Sequence, residues 1–263
     1  LYKESVFILW HATGRRSRGE IKAADLVPYR SMDEEDLIHL LHSSEATKRT
    51  VAGMLLSHIP TERTVKELCS RLQSEKKLYT KIAISESLIA LQEISCPYVL
   101  ALLGTIGNNQ EREIPQKGFL KISYPLPRDL AARTLCRFDT KFLQRFIEHA
   151  YQLESHIALE QLIDAIGHMI YTNRVHTAAS EIIPLYEKHQ TEMIKFKVIR
   201  CLSGIRDKEA EIFLYNSLIT ESGSMLFEVV RSVILSGIGL PSDTEAHMPP
   251  EYRAFATKLR KKL

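Results

Sequence analysis

One stretch of the 263-residue chain mixes cations with aromatic side chains: Lys117, Phe119, Lys121, Tyr124 and Arg128, all between Leu103 and Leu130. Ammonium and guanidinium groups beside aromatic rings suit recognition of a protein or an anionic ligand, with no covalent step. A second grouping, His39 and His42, follows Asp33, Glu34, Glu35 and Asp36. Histidines three apart share a helix face. No third ligand is placed beside them, so no metal is expected there. His149, His156, His168, His176 and His189 are scattered and read as ordinary surface or interface residues. The sequence contains no G-x-x-x-x-G-K-[ST], no G-x-S-x-G and no H-E-x-x-H. No catalytic residue is therefore nominated, and no cofactor is expected. Cys69, Cys96, Cys136 and Cys201 form no C-x-x-C and sit among apolar neighbours. They read as free buried thiols in a reducing cytosol.

The elements that must position these residues are legible in composition and period. Hydrophobic residues make up 44% and charged residues 25%, the balance of a soluble globular protein. The net charge of +3 is too slight to imply a nucleic-acid or membrane partner. With only 11 Gly and 10 Pro, a fold of many short strands and tight turns is disfavoured. No apolar run approaches the roughly 18 residues needed to span a membrane. The Val6–Trp10 stretch is too short for a signal-peptide core, and a cytoplasmic location is expected. The chain does not begin with Met, so an N-terminal element is expected to be missing.

One phrase recurs: an apolar residue, two arbitrary positions, another apolar residue, then a turn signal. It starts at Leu56, Leu91, Leu135, Ile166, Leu202 and Leu235, at intervals of 35, 44, 31, 36 and 33 residues. Intervals near the mid-thirties suit a two-helix repeat. Each phrase is expected to end a first helix and to bury its leading residue. Ala52-Gly53, Ala90, Ala131-Ala132 and Ala165 are small enough for close helix approach. Thr61, Asp139 and Asp207 are expected to cap second helices. Pro97 should lie near a helix start, and Pro184 should bend the helix that contains it. One such pair cannot bury its apolar face alone, but stacked pairs share a core.

The phrase Ala-x-x-Leu-x-x-Ile, a polar turn, then an amphipathic helix resembles the HEAT-like repeats of the phycobilin-lyase type. The resemblance covers roughly residues 46–238 and implies an all-α, right-handed α-solenoid of antiparallel helix pairs. The Trp, Gly-Tyr and Pro pattern of tetratricopeptide repeats is absent. Deoxyhypusine hydroxylases share the helical plan and hold iron on adjacent His-Glu pairs. This chain has only Glu148-His149, in the reverse order. HEAT-like DNA glycosylases use a Trp-rich cleft and a basic concave surface. Here the only tryptophan is Trp10, and Glu67, Glu148, Glu181, Glu187 and Glu211 interrupt the second helices. The inserted segment also resembles one in uncharacterised bacterial HEAT-repeat proteins, which supplies no activity.

The enlarged interval holds an insertion at 107–128, with Gly107 as a stop signal and Pro115, Pro125 and Pro127 forbidding helix. Phe119–Tyr124 reads as a short extended stretch, with Phe119, Lys121 and Ser123 on one side and Leu120, Ile122 and Tyr124 on the other. Two readings stay open. In one, the insertion covers exposed helix with Phe119 or Leu120 as a plug. In the other, its cations and aromatics recognise a partner from beside the second and third repeats. Residues 1–45 read as a basic, partly irregular helical lead-in. Residues 46–263 read as the array, with a loop at Pro241–Pro250 and a closing helix. The expected function is a non-catalytic protein-binding scaffold with an unidentified protein partner and no membrane. Nucleic-acid binding or DNA repair is the alternative.

Overall fold

The computed structural model describes residues 14–263, so Trp10 and the apolar stretch around it lie outside the described residues. Helices dominate, and no strand occurs among the described residues. The chain divides into two compact units, Leu1–Gly107 and Asn108–Leu263.

In the first unit the helices include α1 (Ala23–Leu26), α2 (Glu34–Leu41), α3 (Ala46–Leu56), α4 (Glu62–Ser74), α5 (Leu78–Ala90) and α6 (Gln92–Leu100). Helix α3 packs against α2 and α5, and α4 packs against α5 and α6. The small residues serve the close approach of α3 and α5. A methyl group on Gly53 would stand 3.4 Å from the Ile84 side chain. The Ser87 hydroxyl donates to the Gly53 carbonyl at 2.5 Å. Arg49 and Glu75 form a buried two-bond ion pair, at 2.7 and 3.0 Å. The basic lead-in is neutralised locally: Arg16 pairs with Asp25 at 2.8 Å and Arg15 with Glu20 at 3.4 Å.

The second unit contains α7 (Leu130–Leu135), α8 (Leu143–Gln152), α9 (His156–Asn173), α10 (Ala179–Lys188) and α11 (Glu192–Leu202). It continues with α12 (Lys208–Thr220), α13 (Gly223–Ser236), α14 (Ser242–His247) and α15 (Pro250–Arg260). Helices α7, α9, α11, α13 and α15 pack in succession as one row. Helices α8, α10 and α12 pack in succession as another row. Leu56, Leu91, Leu135, Ile166, Leu202 and Leu235 are all buried. The caps at Thr61 and Asp207 accept from the amides of Thr64 and Ala210, at 3.0 and 2.8 Å. Asp139 caps a short 3₁₀ turn ahead of α8, and Asp129 caps α7.

Three local expectations are corrected. Helix α6 begins at Gln92, directly after Leu91, and runs through Pro97, so no polar turn separates the pair there. Buried Ser95 secures this tight junction by donating to the Leu88 carbonyl at 2.6 Å. The Pro241–Pro250 segment is not only loop, because α14 forms within it. Asp243 and Glu245 suit the positive end of α14, and Arg260 pairs with Glu245 at 2.7 Å. Phe119–Tyr124 is not a strand, and its two sides do not alternate: Tyr124 is buried while Lys121, Ile122 and Ser123 are exposed. Its backbone oxygens are taken by side chains rather than by a ladder, as described next.

Candidate functional site: a strapped, charge-lined cavity

An irregular segment inside a compact unit must find partners for its own peptide groups. Residues 108–129 do so by crossing helices α9, α13 and α15 of the second unit as a strap. Gln110 donates to the Asp129 carboxylate at 3.1 Å, which clasps the two ends of the strap together. Four consecutive carbonyls are then captured by side chains from two helices and the end of the chain. Lys262 donates to Leu120 at 3.0 Å, and Tyr171 donates to Ile122 at 2.5 Å. Arg231 donates to Lys121 at 3.1 Å and to Ser123 at 2.9 Å. Gly118 has φ +71° and lies so close to Phe227 and Phe255 that an added Cβ would stand 2.9 and 2.8 Å from them. Only glycine suits both the dihedral and the space.

Tyr124 is the buried plug, rather than Phe119 or Leu120, which are both half-buried. Its ring sits over Gly167, edge-on to His168 at 6.2 Å and tilted against Tyr171 at 5.9 Å. Its hydroxyl has no hydrogen-bond partner, and burial pushes its ionisation well upward.

Beneath the strap, helices α9, α11 and α13 carry a row of buried charges. Lys197 on α11 donates to Asp164 on α9 at 2.7 Å and to the Glu160 carbonyl at 3.1 Å. Arg231 on α13 pairs with Glu228 at 2.7 Å. Arg200 on α11 stands between these pairs. It lies 3.7 Å from Asp164 and 3.8 Å from Glu228, and meets Glu111 of the strap at 2.9 Å. Its guanidinium also rests over the Phe196 ring, 4.4 Å from the centroid. Burial alone would lower the Arg200 pKa, but Glu228, Asp164 and Glu111 outweigh it and raise it. Burial likewise would raise the Glu111 pKa, and the adjacent Arg200 reverses this and lowers it. Both groups are therefore charged at neutral pH. Two atoms of the row remain without hydrogen bonds: Asp164 Oδ1 and Arg200 Nε.

A cavity of about 230 Å³ opens between strap and row. Asp164 and Arg200 contribute from the helices, and Glu111, Phe119, Lys121 and Arg128 from the strap. Three of the five residues nominated from sequence thus converge on one space. Lys121 lies 5.5 Å over the Phe119 ring, and Arg231 lies 5.6 Å from the same ring. Neither Lys121 nor Arg128 pairs with a carboxylate among the described residues. Lys117 is exposed and does not line the cavity. The insertion, expected beside the second and third helix pairs, extends over α9, α13 and α15. Its length lets it reach them, and Arg231 and Lys262 supply the donors. Sequence reading missed Glu111, Asp164, Lys197, Arg200, Glu228 and Arg231. One signal was available: charges of opposite sign recur on apolar helices at the repeat interval, Asp164 and Lys197 being 33 apart.

His42 pairs with Glu67 at 3.1 Å. No three His, Cys, Asp or Glu side chains converge to hold a metal among the described residues. No helix among them is long and apolar enough to cross a membrane. The described residues define an all-helical protein with a strap over an internally ion-paired face. Comparison with known proteins finds no matching family model and no matching curated sequence.

Proposed function

We propose that this chain is a non-catalytic binding protein, built as a right-handed HEAT-like α-solenoid, whose strapped cavity receives an acidic side chain of a protein partner. The observation that carries this reading is the incomplete pairing of Arg200: its Nε has no hydrogen-bond partner, although the residue is buried. A buried guanidinium retains strong demand for acceptors. Lys121 and Arg128 add two positive charges at the same cavity. A space of about 230 Å³ suits one side chain of a partner better than a drug-sized ligand. The two rows of sequential helices support the repeat reading, because neighbouring pairs share a core.

Selection of a randomised peptide library on the purified protein tests this. Enriched peptides should carry Asp or Glu beside an apolar residue. The double variant K121E/R128E should lose affinity for them by about tenfold or more while keeping its Tm. Enrichment without acidic residues, or undiminished binding by that stable variant, would overturn the proposal.

A further inference from the structure

A second cavity, of about 420 Å³, lies where α9 and α11 end. Its lining includes Arg174, His176, Ser203, Gly204 and Arg206, and no carboxylate. We infer that these residues form a binding site for a phosphate monoester.

The geometry is built before any ligand arrives. Arg174 follows α9 with φ 56° and ψ 44°, the left-handed conformation that glycine usually fills. It is the one non-glycine residue with positive φ among the described residues. An arginine there carries a backbone cost that a glycine would not, and such outliers gather at binding sites. The turn after α9 is stitched to the turn after α11 by two bonds. The Arg206 amide donates to the His176 carbonyl at 3.1 Å. His176 Nδ1 donates to the Gly204 carbonyl at 3.0 Å. The carbonyl can only accept, so Nδ1 is the donor and the ring is fixed against the Gly204 turn. Gly204 permits this closeness, since an added Cβ would stand 3.0 Å from the Tyr171 backbone.

The charges are uncommitted. Neither Arg174 nor Arg206 makes an ion pair among the described residues. The acid next in sequence, Asp207, is occupied: its two oxygens accept from the amides of Ala179 and Ala210, at 3.2 and 2.8 Å. Ser203 provides the independent sign of a ligand. The residue is 1% exposed and lines the cavity, and its hydroxyl has no hydrogen-bond partner. A buried hydroxyl without a partner is costly, and a bound acceptor removes that cost. Two guanidinium groups and a hydroxyl match the several acceptor oxygens of a tetrahedral dianion better than a planar carboxylate. The volume exceeds that of a bare phosphate, which leaves room for the group that carries it.

Isothermal titration calorimetry and thermal melting with inorganic phosphate, O-phosphoserine and a nucleoside 5′-monophosphate test the site. At least one probe should bind and raise Tm at low ionic strength, while acetate at equal ionic strength does neither. The tightest of the three identifies whether the free ion, an amino-acid ester or a nucleotide is the source. R174Q and R206Q should each weaken the best probe by about tenfold, with unliganded Tm unchanged. S203A separates ligand from structure, because it replaces an unsatisfied hydroxyl with a methyl. It should melt no lower than the parent yet bind more weakly. No binding by any probe, or equal binding by R174Q, R206Q and S203A, would overturn the assignment.

Discussion

Gly167→Ala sets two effects of known sign against each other. Alanine in the interior of α9 should stabilise the helix by about 1 kcal/mol relative to glycine. Its methyl group, however, would stand 2.0 Å from the Tyr124 hydroxyl oxygen, 2.5 Å from Cζ and 3.0 Å from Cε2. Relief requires the whole ring to move by more than an ångström, because the overlap includes ring carbons. The ring is 5% exposed and held between His168 and Tyr171, so it cannot simply swing away. Overpacking of this kind costs about 1–3 kcal/mol. The substitution should therefore be net destabilising, by up to about 2 kcal/mol, in the parent protein. In a Tyr124→Ala background the obstacle is gone, and the same substitution should stabilise by about 1 kcal/mol. Urea denaturation of the parent, both single variants and the double variant closes the cycle. Gly167→Ala should also expose the strap, so trypsin should cut at Lys117 or Lys121 faster. Equal effects of Gly167→Ala in the two backgrounds would refute the wedge.

Four other outcomes follow from the packing. Burial would raise the Glu75 pKa, but hydrogen bonds from Arg49, the Lys77 amide and Arg71 hold it at about 2, against an ordinary 4.5. Its contribution, roughly 3 kcal/mol, is complete above the ordinary value and disappears as pH falls through the folded one, so acid denaturation of E75Q should show a shallower slope in that window. Lys197→Met strands a buried Asp164 and should cost about 3–5 kcal/mol, whereas D164L/K197M should lose less in thermal melts; equal losses would remove the pair from the account. All four cysteines are buried, and burial pushes the Cys69 and Cys136 thiols up to about 12, so a disulfide thiol reagent should react at neutral pH only after denaturation. Duplex DNA should bind weakly and release by physiological salt in fluorescence anisotropy, since Lys197 on α11 and Arg231 on α13 are already ion-paired.

The helices and their buried anchors were readable because apolar side chains repeat at helical period. Leu202 or Leu135 needs only its neighbours three and four residues away to declare a face. Asp164 and Lys197 could not be read in that way. A charge on a helix is ordinarily solvated, and only a partner some thirty residues distant makes its burial tolerable. The strap was legible as an insertion from Gly107 and its prolines, and three of its nominated residues do meet in one cavity. Its path was not legible, because the anchors are backbone carbonyls, which every residue type possesses. Arg174 likewise carried no sequence sign, since glycine or asparagine is the residue that announces a left-handed turn. The missing turn at Leu91 reflects a helix junction too tight to need polar residues.

The anchors of the strap lie 110 residues from Lys121 and 142 residues from Leu120 along the chain. During synthesis residues 108–128 leave the ribosome long before α13 and α15 exist. Domains assemble as the chain emerges, so α9 and α11 can pair while the strap still has water on its carbonyls. Closing contacts of such long separation is entropically late. Arg200 thus spends an interval in each molecule's life with its cavity uncovered. Any factor that engages the nascent chain meets an open charged face that the finished protein keeps under cover.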